Sequence, residues 1–444
     1  MYRGLVIILF MFAAVSLTAQ EKYNASVDKN TYNLYMKSNW EELRESGYKA
    51  IDDGFDFYYL RMRLGISYYQ EENYMSAIPH FEKVVSFNPK DSIGLEYLYY
   101  SYLFSGQESD ANILAKKLPS QLKRKFHFKE PEFFRGAYSE AGYSFNQNYN
   151  NKTRSSFLGN QDLYGTQNIF KNETYINLSL MHSIGDRVSV FQGYNNIVLN
   201  STRQFEDGIY GTSDFPAAVK QNEYYLNLGF YLGSGFNLTT ALHYLNVKVE
   251  DYEPPTISNP LFTSYTNTSN EIAACFSLSK RIGHTELGYT TVFSNFNSGK
   301  QNQNMFSFIW YPLGNLNLYN VSNFVLHSNK SNDASDAVTR FIFDEKLGFK
   351  VADKLWLEAV FTTGPIFNYS DINAFIIYNN IDQIKYKAGF NIISPVSDNV
   401  ELSFRYLLLS QNYDVTTTNS NLTDITKTNN LLIHKLIGGI KWTF

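Results

Sequence analysis

The stretch "LHSNKSN" (326–332) sets His327 beside Ser328 among asparagines, and these are the side-chain types of a hydrolytic site in which an imidazole takes a hydroxyl proton. The local periodicity defeats that chemistry. The segment alternates as a strand does, adjacent strand residues point to opposite faces, and His327 therefore cannot activate its own neighbour. The seven histidines are scattered with none at a metal-ligand spacing, and the single cysteine, Cys275, excludes an internal disulfide. No nucleophile elbow or phosphate-binding loop is present, and a net charge of −4 offers no footprint for nucleic acid. The expectation is a chain with no catalytic residues, no metal and no cofactor. Its chemical character resides in charges at alternating positions: Glu140, Glu286, Arg340, Asp344, Lys346, Glu358, Lys385, Lys387, Glu401 and Arg405 each fall on the polar face of a period-two segment.

The elements that must hold these charges are strands. With 35 Tyr and 35 Phe, aromatics make up 17% of the 444 residues and charged residues 18%, a composition that favours strands. The mean hydropathy of −0.31 is too polar for a bundle of membrane helices. From Phe134 onward the period is two: "EYYLNLGFYLG" alternates Tyr224, Leu226, Leu228, Phe230 and Leu232 against Tyr225, Asn227, Gly229 and Tyr231, and "NVELSFRYLLL" and "QIKYKAGFNI" behave alike. Fourteen such segments run from 135–150 to 427–444, among them 169–183, 336–351, 355–367 and 381–394. They are joined alternately by tight turns such as "IGD" (184–186), "GSG" (233–235) and "ADK" (352–354) and by longer Asn/Ser/Thr-rich connections such as 151–168, 251–267 and 415–427. Long strands, an even count and short turns alternating with long loops predict a transmembrane antiparallel β-barrel. The charged faces then look into the lumen, where both signs either line a wet channel or pair and fill it. Gly142, Gly229, Gly389 and Ser403 on that face leave room and favour a lumen at least partly open. Glu345 falls among the outward Phe343 and Leu347, which predicts a register slip or bulge in 336–351.

Before the strands the period is helical and repeats. "LRMRLGISYYQEENYMSAIPHFEKVVSFNPKD" (60–91) carries Leu64-Gly65, Tyr68, Ala77, Phe81, Val84 and Pro89, and related positions recur 34 residues to either side, as Leu98, Tyr102, Ala111 and Leu118 show. Residues 30–118 resemble a tetratricopeptide-repeat domain of two and a half to three units. By that resemblance the first helices line a concave groove, with Tyr59, Met62, Ile66, Tyr69 and Gln70, then Ile93, Glu96, Tyr100, Leu103 and Phe104, facing either a partner or the N-terminal segment.

The first nineteen residues place Arg3 before an apolar run and a small residue, Ala19, ahead of Gln20, which reads as a secretory signal peptide. At the other end "GGIKWTF" sets Ile440, Trp442 and Phe444 on one strand face, and it resembles the C-terminal signal of bacterial outer-membrane proteins, which implies recognition by a barrel-assembly machinery. The expected organisation is multidomain α + β: signal peptide 1–19, helical repeats 20–125, linker 126–134 and barrel 135–444. Joined repeats and barrel resemble the exopolysaccharide exporters of the cellulose and poly-N-acetylglucosamine systems and the smaller YaiO-like barrels. The resemblance implies residence in the outer membrane among its lipids, with the helical domain in the periplasm docking a protein partner for surface assembly or export. A passive porin-like channel and a structural anchor with a plugged lumen are the alternatives.

Overall fold

The computed structural model describes residues 25–125, 128, 132–209, 211–254, 261–380 and 382–444. The predicted signal segment and most of the predicted linker lie outside them. The chain forms two compact units, 1–130 with Tyr311–Leu316, and Pro131–Trp310 with Asn317–Phe444.

The first unit is helical: α1 (25–36), α2 (Trp40–Asp52), α3 (Tyr58–Gln70), α4 (Tyr74–Phe87), α5 (Ser92–Phe104), α6 (Glu108–Lys116) and α7 (Ser120–Lys125). Starts at Trp40, Tyr74 and Glu108, and at Tyr58 and Ser92, keep an interval of 34 residues. Local chemistry sets these starts. The Asn73 side chain accepts from the backbone of Ser76, and that of Asp91 from Ile93 and Gly94, so orphan N–H groups at the head of α4 and α5 are satisfied. Packing sets the rest. Gly65 lets α3 lie directly on Phe81, whose ring a Cβ at that position would meet at 2.6 Å. Leu64, Ala77, Phe81 and Val84 are fully buried.

The second unit contains β1 (Phe134–Asn146), a short helix α8 (Tyr149–Arg154), β2 (Asp162–Ile184), β3 (Val188–Asp207), β4 (Gly211–Gly233), β5 (Phe236–Glu253), β6 (Thr263–Ile282), β7 (Thr285–Ser294) and β8 (Gly299–Trp310). It continues with β9 (Leu318–Ser331), β10 (Val338–Ala352), β11 (Leu355–Ile366), the short β12 (Tyr369–Asp371) and β13 (Ile376–Tyr378), then β14 (Ile384–Pro395), β15 (Val400–Asn419) and β16 (Asp424–Thr443). All but β12 and β13 close a fourteen-strand antiparallel barrel, sealed by β1 on β16 from Gly136↔Thr443 to Asn146↔Ile433. Closure leaves no sheet edge through the body of the wall.

The wall is uneven. β2 to β6 run 18–23 residues, whereas β7, β8, β11 and β14 run 10–12. The connections expected at 151–168 and 415–427 are therefore largely not loops: α8 and the start of β2 occupy the first, and β15 and β16 pair from Val415↔Lys427 to Thr418↔Asp424 in the second. Their Asn- and Thr-rich sequence hides the strand because both faces are polar. Beyond Gln411, where β14 ends its pairing, β15 instead pairs with β2 from Val415↔Gln167 to Asn419↔Asp162. Those strands stand three apart in the ring, so the pairing carries the β15–β16 hairpin across the mouth at the loop end.

Candidate functional site

The connection between β11 and β14 turns inward. Between Ile366 and Ile384 it forms the β12–β13 hairpin, whose Tyr369, Ser370 and Ala374 are buried. Gln303 of β8 holds the backbone of Ser370 at both ends, donating from Nε2 to the carbonyl at 2.7 Å and accepting from the amide at 3.2 Å. His327 Nε2 donates to the Asn368 carbonyl at 2.8 Å, which ties to this loop the histidine that invited a catalytic reading. Farther on, the Tyr225 hydroxyl donates to Asn373 O at 3.0 Å, His243 Nδ1 donates to Ala374 O at 2.7 Å, and Asn379 Nδ2 donates to Gln221 Oε1 and Glu271 Oε2. β4 and β5, which carry Tyr225 and His243, stand half a circuit from β11 and β14 in the ring. The loop thus spans the lumen from wall to wall.

Apolar contacts accompany the polar ones. Tyr369 belongs to a buried cluster with Val325, Ile342, Ile384, Leu407 and Tyr413, and Ala374 to one with Tyr225, Leu245 and Ala273. The Phe375 ring meets those of Phe191 and Tyr225 at 5.5 and 5.0 Å. One ion pair pins the near side: Lys387 Nζ lies 2.5 Å from Asp371 Oδ2, with the side chains 8% and 12% exposed. On the far side the buried His243 Nε2 and Glu223 Oε2 are hydrogen-bonded at 3.1 Å. Paired, hydrogen-bonded charges are the form in which charge survives burial.

Nine of the ten charged residues predicted to face the lumen keep inward register. Glu140 accepts from the Tyr138 and Tyr175 hydroxyls, Glu286 from Ser279 and Arg281, and Asp344 from Asn323 and Thr362. Glu358 accepts from Asn391 at 2.6 Å and pairs with Lys346 at 3.4 Å, and Arg405 Nε donates to Asn391 Oδ1. The Arg340 guanidinium sits 5.3 Å from the Phe367 ring, and Glu401 lies opposite Lys441 near the C-terminus. Lys385 is the exception. A register shift between Ile384 and Tyr386 makes it a bulge residue, so Ile384 turns inward, Lys387 stays inward and Lys385 is exposed. Strand ten has no slip at Glu345: β10 pairs without a shift with β9, and Glu345 remains on the outer face, where Asn320 donates to it.

Of the predicted groove residues, Tyr59 and Phe104 are exposed, whereas Met62 and Ile66 are buried in the helical core, with Tyr69 and Tyr100 packed against it. Tyr69 touches Tyr74 and Tyr97, Tyr100 stacks on Phe104, and Glu96 pairs with Lys125. α1 lies against α3, where Arg63 donates to Asp28 and Thr31, and its Tyr35 packs against the cluster that holds Met62 and Ile66. Ile440, Trp442 and Phe444 are exposed on the outer face of β16, with Trp442 and Phe444 stacked at 5.4 Å.

Sequence reasoning passed over Gln303, His243, Glu223, Asp371 and Tyr369. A signal existed: the connection holds "AFIIY" (374–378), an apolar run that a solvated loop has no use for.

No family model and no curated protein matches the chain. Among solved structures it is similar to a FadL homologue of Pseudomonas aeruginosa (10% identity, 70% of this chain and 90% of that one, TM-score 0.40). It is also similar to the toluene transporter TodX of Pseudomonas putida (8%, 69% and 89%, 0.41) and to a bacterial polysaccharide outer membrane secretin (10%, 69% and 98%, 0.34). At such identity and superposition, cargo, direction and gating do not transfer to this chain.

Proposed function

We propose that this protein is an outer-membrane β-barrel whose lumen is closed at rest by its own loop 367–383, and whose tetratricopeptide-like unit docks a periplasmic partner in surface assembly or export. Leu178, Leu242, Phe276, Leu287, Phe306 and Phe324 are exposed on the outer face, an apolar belt that water does not favour and lipid does. The belt has a sharp edge toward the loop end. Tyr194, Tyr224 and Tyr244 are direct cross-strand neighbours, then Asn196, Asn222, Asn246 and Asn270, then Lys220 and Lys248. A tyrosine row followed by amides and ammoniums is the order in which a wall leaves hydrocarbon for headgroups. The groove residues Tyr59, Tyr69, Glu96, Tyr100 and Phe104 are the docking surface of this reading.

The inward hairpin carries the choice against a freely open porin, because its contacts reach both sides of the lumen. In planar bilayers the full-length protein is expected to be silent, and replacement of 369–378 by a short Gly-Ser linker is expected to give steady conductance. Conductance of the intact protein equal to that of the replacement sinks the reading.

A further inference from the structure

Above the asparagine row the wall divides. The β4–β5 ladder ends at Ala218↔Glu250, whereas β3–β4 continues to Asp207↔Gly211 and β5–β6 to Glu253↔Thr263. Two hairpin walls part there, leaving between them a cleft of about 580 Å³. No register shift interrupts these ladders in this region, and the lining comes from both faces of the strands: Thr202, Asp214, Glu250, Tyr252, Ser264 and Thr266 share the face of the exposed Tyr194, Tyr224 and Tyr244, whereas Phe215, Ala217 and Tyr265 alternate with them. The cleft is therefore a gap in the wall between the two hairpins, lined from both sides of the sheet.

Its chemistry is specific. Phe215 and Tyr252 stack with centroids 4.6 Å apart and planes 25° from parallel, and Phe262 backs Phe215 at 4.6 Å. Around these rings stand hydroxyls, amides and carboxylates: Thr202, Ser264, Thr266, Asn200 and Asp214. Lys171 is the one cation among the described lining residues and is outnumbered by Asp214, Glu250 and Asp251, and the nearby Lys220 and Lys248 both hold Glu250 at 2.9 and 2.8 Å, so the cleft carries no surplus positive charge for a phosphate. Aromatic rings suit the C–H-rich faces of a pyranose, and groups that both donate and accept suit its hydroxyls. An added peptide strand fits poorly, because the edge left on β5 is only Asp251–Glu253 and that left on β4, Gly211 to Ala217, is broken by Pro216, which has no N–H to give.

We propose that this cleft is a binding site for a neutral saccharide. Either a lipid-linked sugar or a free polymer supplies that chemistry. The site rests on its own geometry, and only its height above the lipid rests on the preceding reading.

The test uses full-length protein in nanodiscs. One arm is an array of lipid-free neutral hexasaccharides (glucose, galactose, mannose and N-acetylglucosamine) beside phosphorylated sugars and extended peptides; the other is vesicles containing a galactosyl lipid. Retention of a neutral sugar in either arm is expected, the arm identifying the source. Thr266→Trp, which fills the cleft, and Tyr252→Ala, which removes its platform, are each expected to weaken retention at least tenfold. Heat-modifiable migration on gels verifies that both variants remain folded. Retention of peptides or phosphosugars alone, no retention in either arm, or undiminished retention by Thr266→Trp overturns the proposal. None of these results bears on bilayer conductance, so the two readings fail separately.

Discussion

His80 is 2% exposed in the helical unit, with Arg61 donating toward Nδ1 at 3.3 Å and the Tyr48 hydroxyl 3.0 Å from Nε2. Burial, and after it the Arg61 charge, pull its pKa down to about 4. An unfolded histidine titrates near ~6.5, so as pH falls the unfolded chain takes up the proton first. Stability of the helices is thus fully present above about pH 6.5, declines toward pH 4 by up to about 3 kcal/mol, and then levels. Melts of the far-UV helical signal at stepped pH are expected to show this slope, and His80→Gln to flatten it. In the barrel, Lys387→Met strands Asp371 in a buried site and is expected to cost the loop ~3–5 kcal/mol. Limited proteolysis is expected to cut 367–383 in that variant and to spare it again when Asp371→Leu is added.

The helical hairpins are specified by small residues and caps as much as by apolar ones. Gly65→Ala drives a methyl into the Phe81 ring, and the expected loss is ~1–3 kcal/mol from overpacking, read as a lower melting temperature of the helical signal with barrel migration on gels unchanged. Strand elements differ in how openly they declare themselves. Segments within the apolar belt alternate cleanly, as 224–232 does. The tops of β2, β15 and β16 do not, because water or another polar layer meets both their faces, and period two then has nothing to sort. Lys385 shows a further limit: one bulge reverses the faces of Ile384 and Lys385, and a bulge is a choice made by the pairing partner β15.

At the scale of the whole barrel, the inward loop acts as a strut between walls half a circuit apart. Gln303→Ala with Asn379→Ala leaves buried backbone and carboxylate groups unsatisfied, at ~1–3 kcal/mol each. The double variant is expected to flicker open in bilayers at least tenfold more often than the parent, without the steady conductance of the loop replacement. Unchanged silence would mean that the apolar contacts of Tyr369 and Phe375 suffice to hold the loop.

The helix-to-strand order, the 34-residue interval and the number of barrel strands were legible along the chain. Each of these is a local periodicity, imposed residue by residue by the helix turn or the strand pleat. That the loop carrying "AFIIY" turns into the barrel, that His243 and Gln303 grip that loop, and that β4 and β5 part into a cleft are outcomes of folding. Those contacts join residues far apart along the chain, Tyr225 to Asn373 and His327 to Asn368 among them. No period within either segment encodes the other, and closure of the barrel is what brings them within reach.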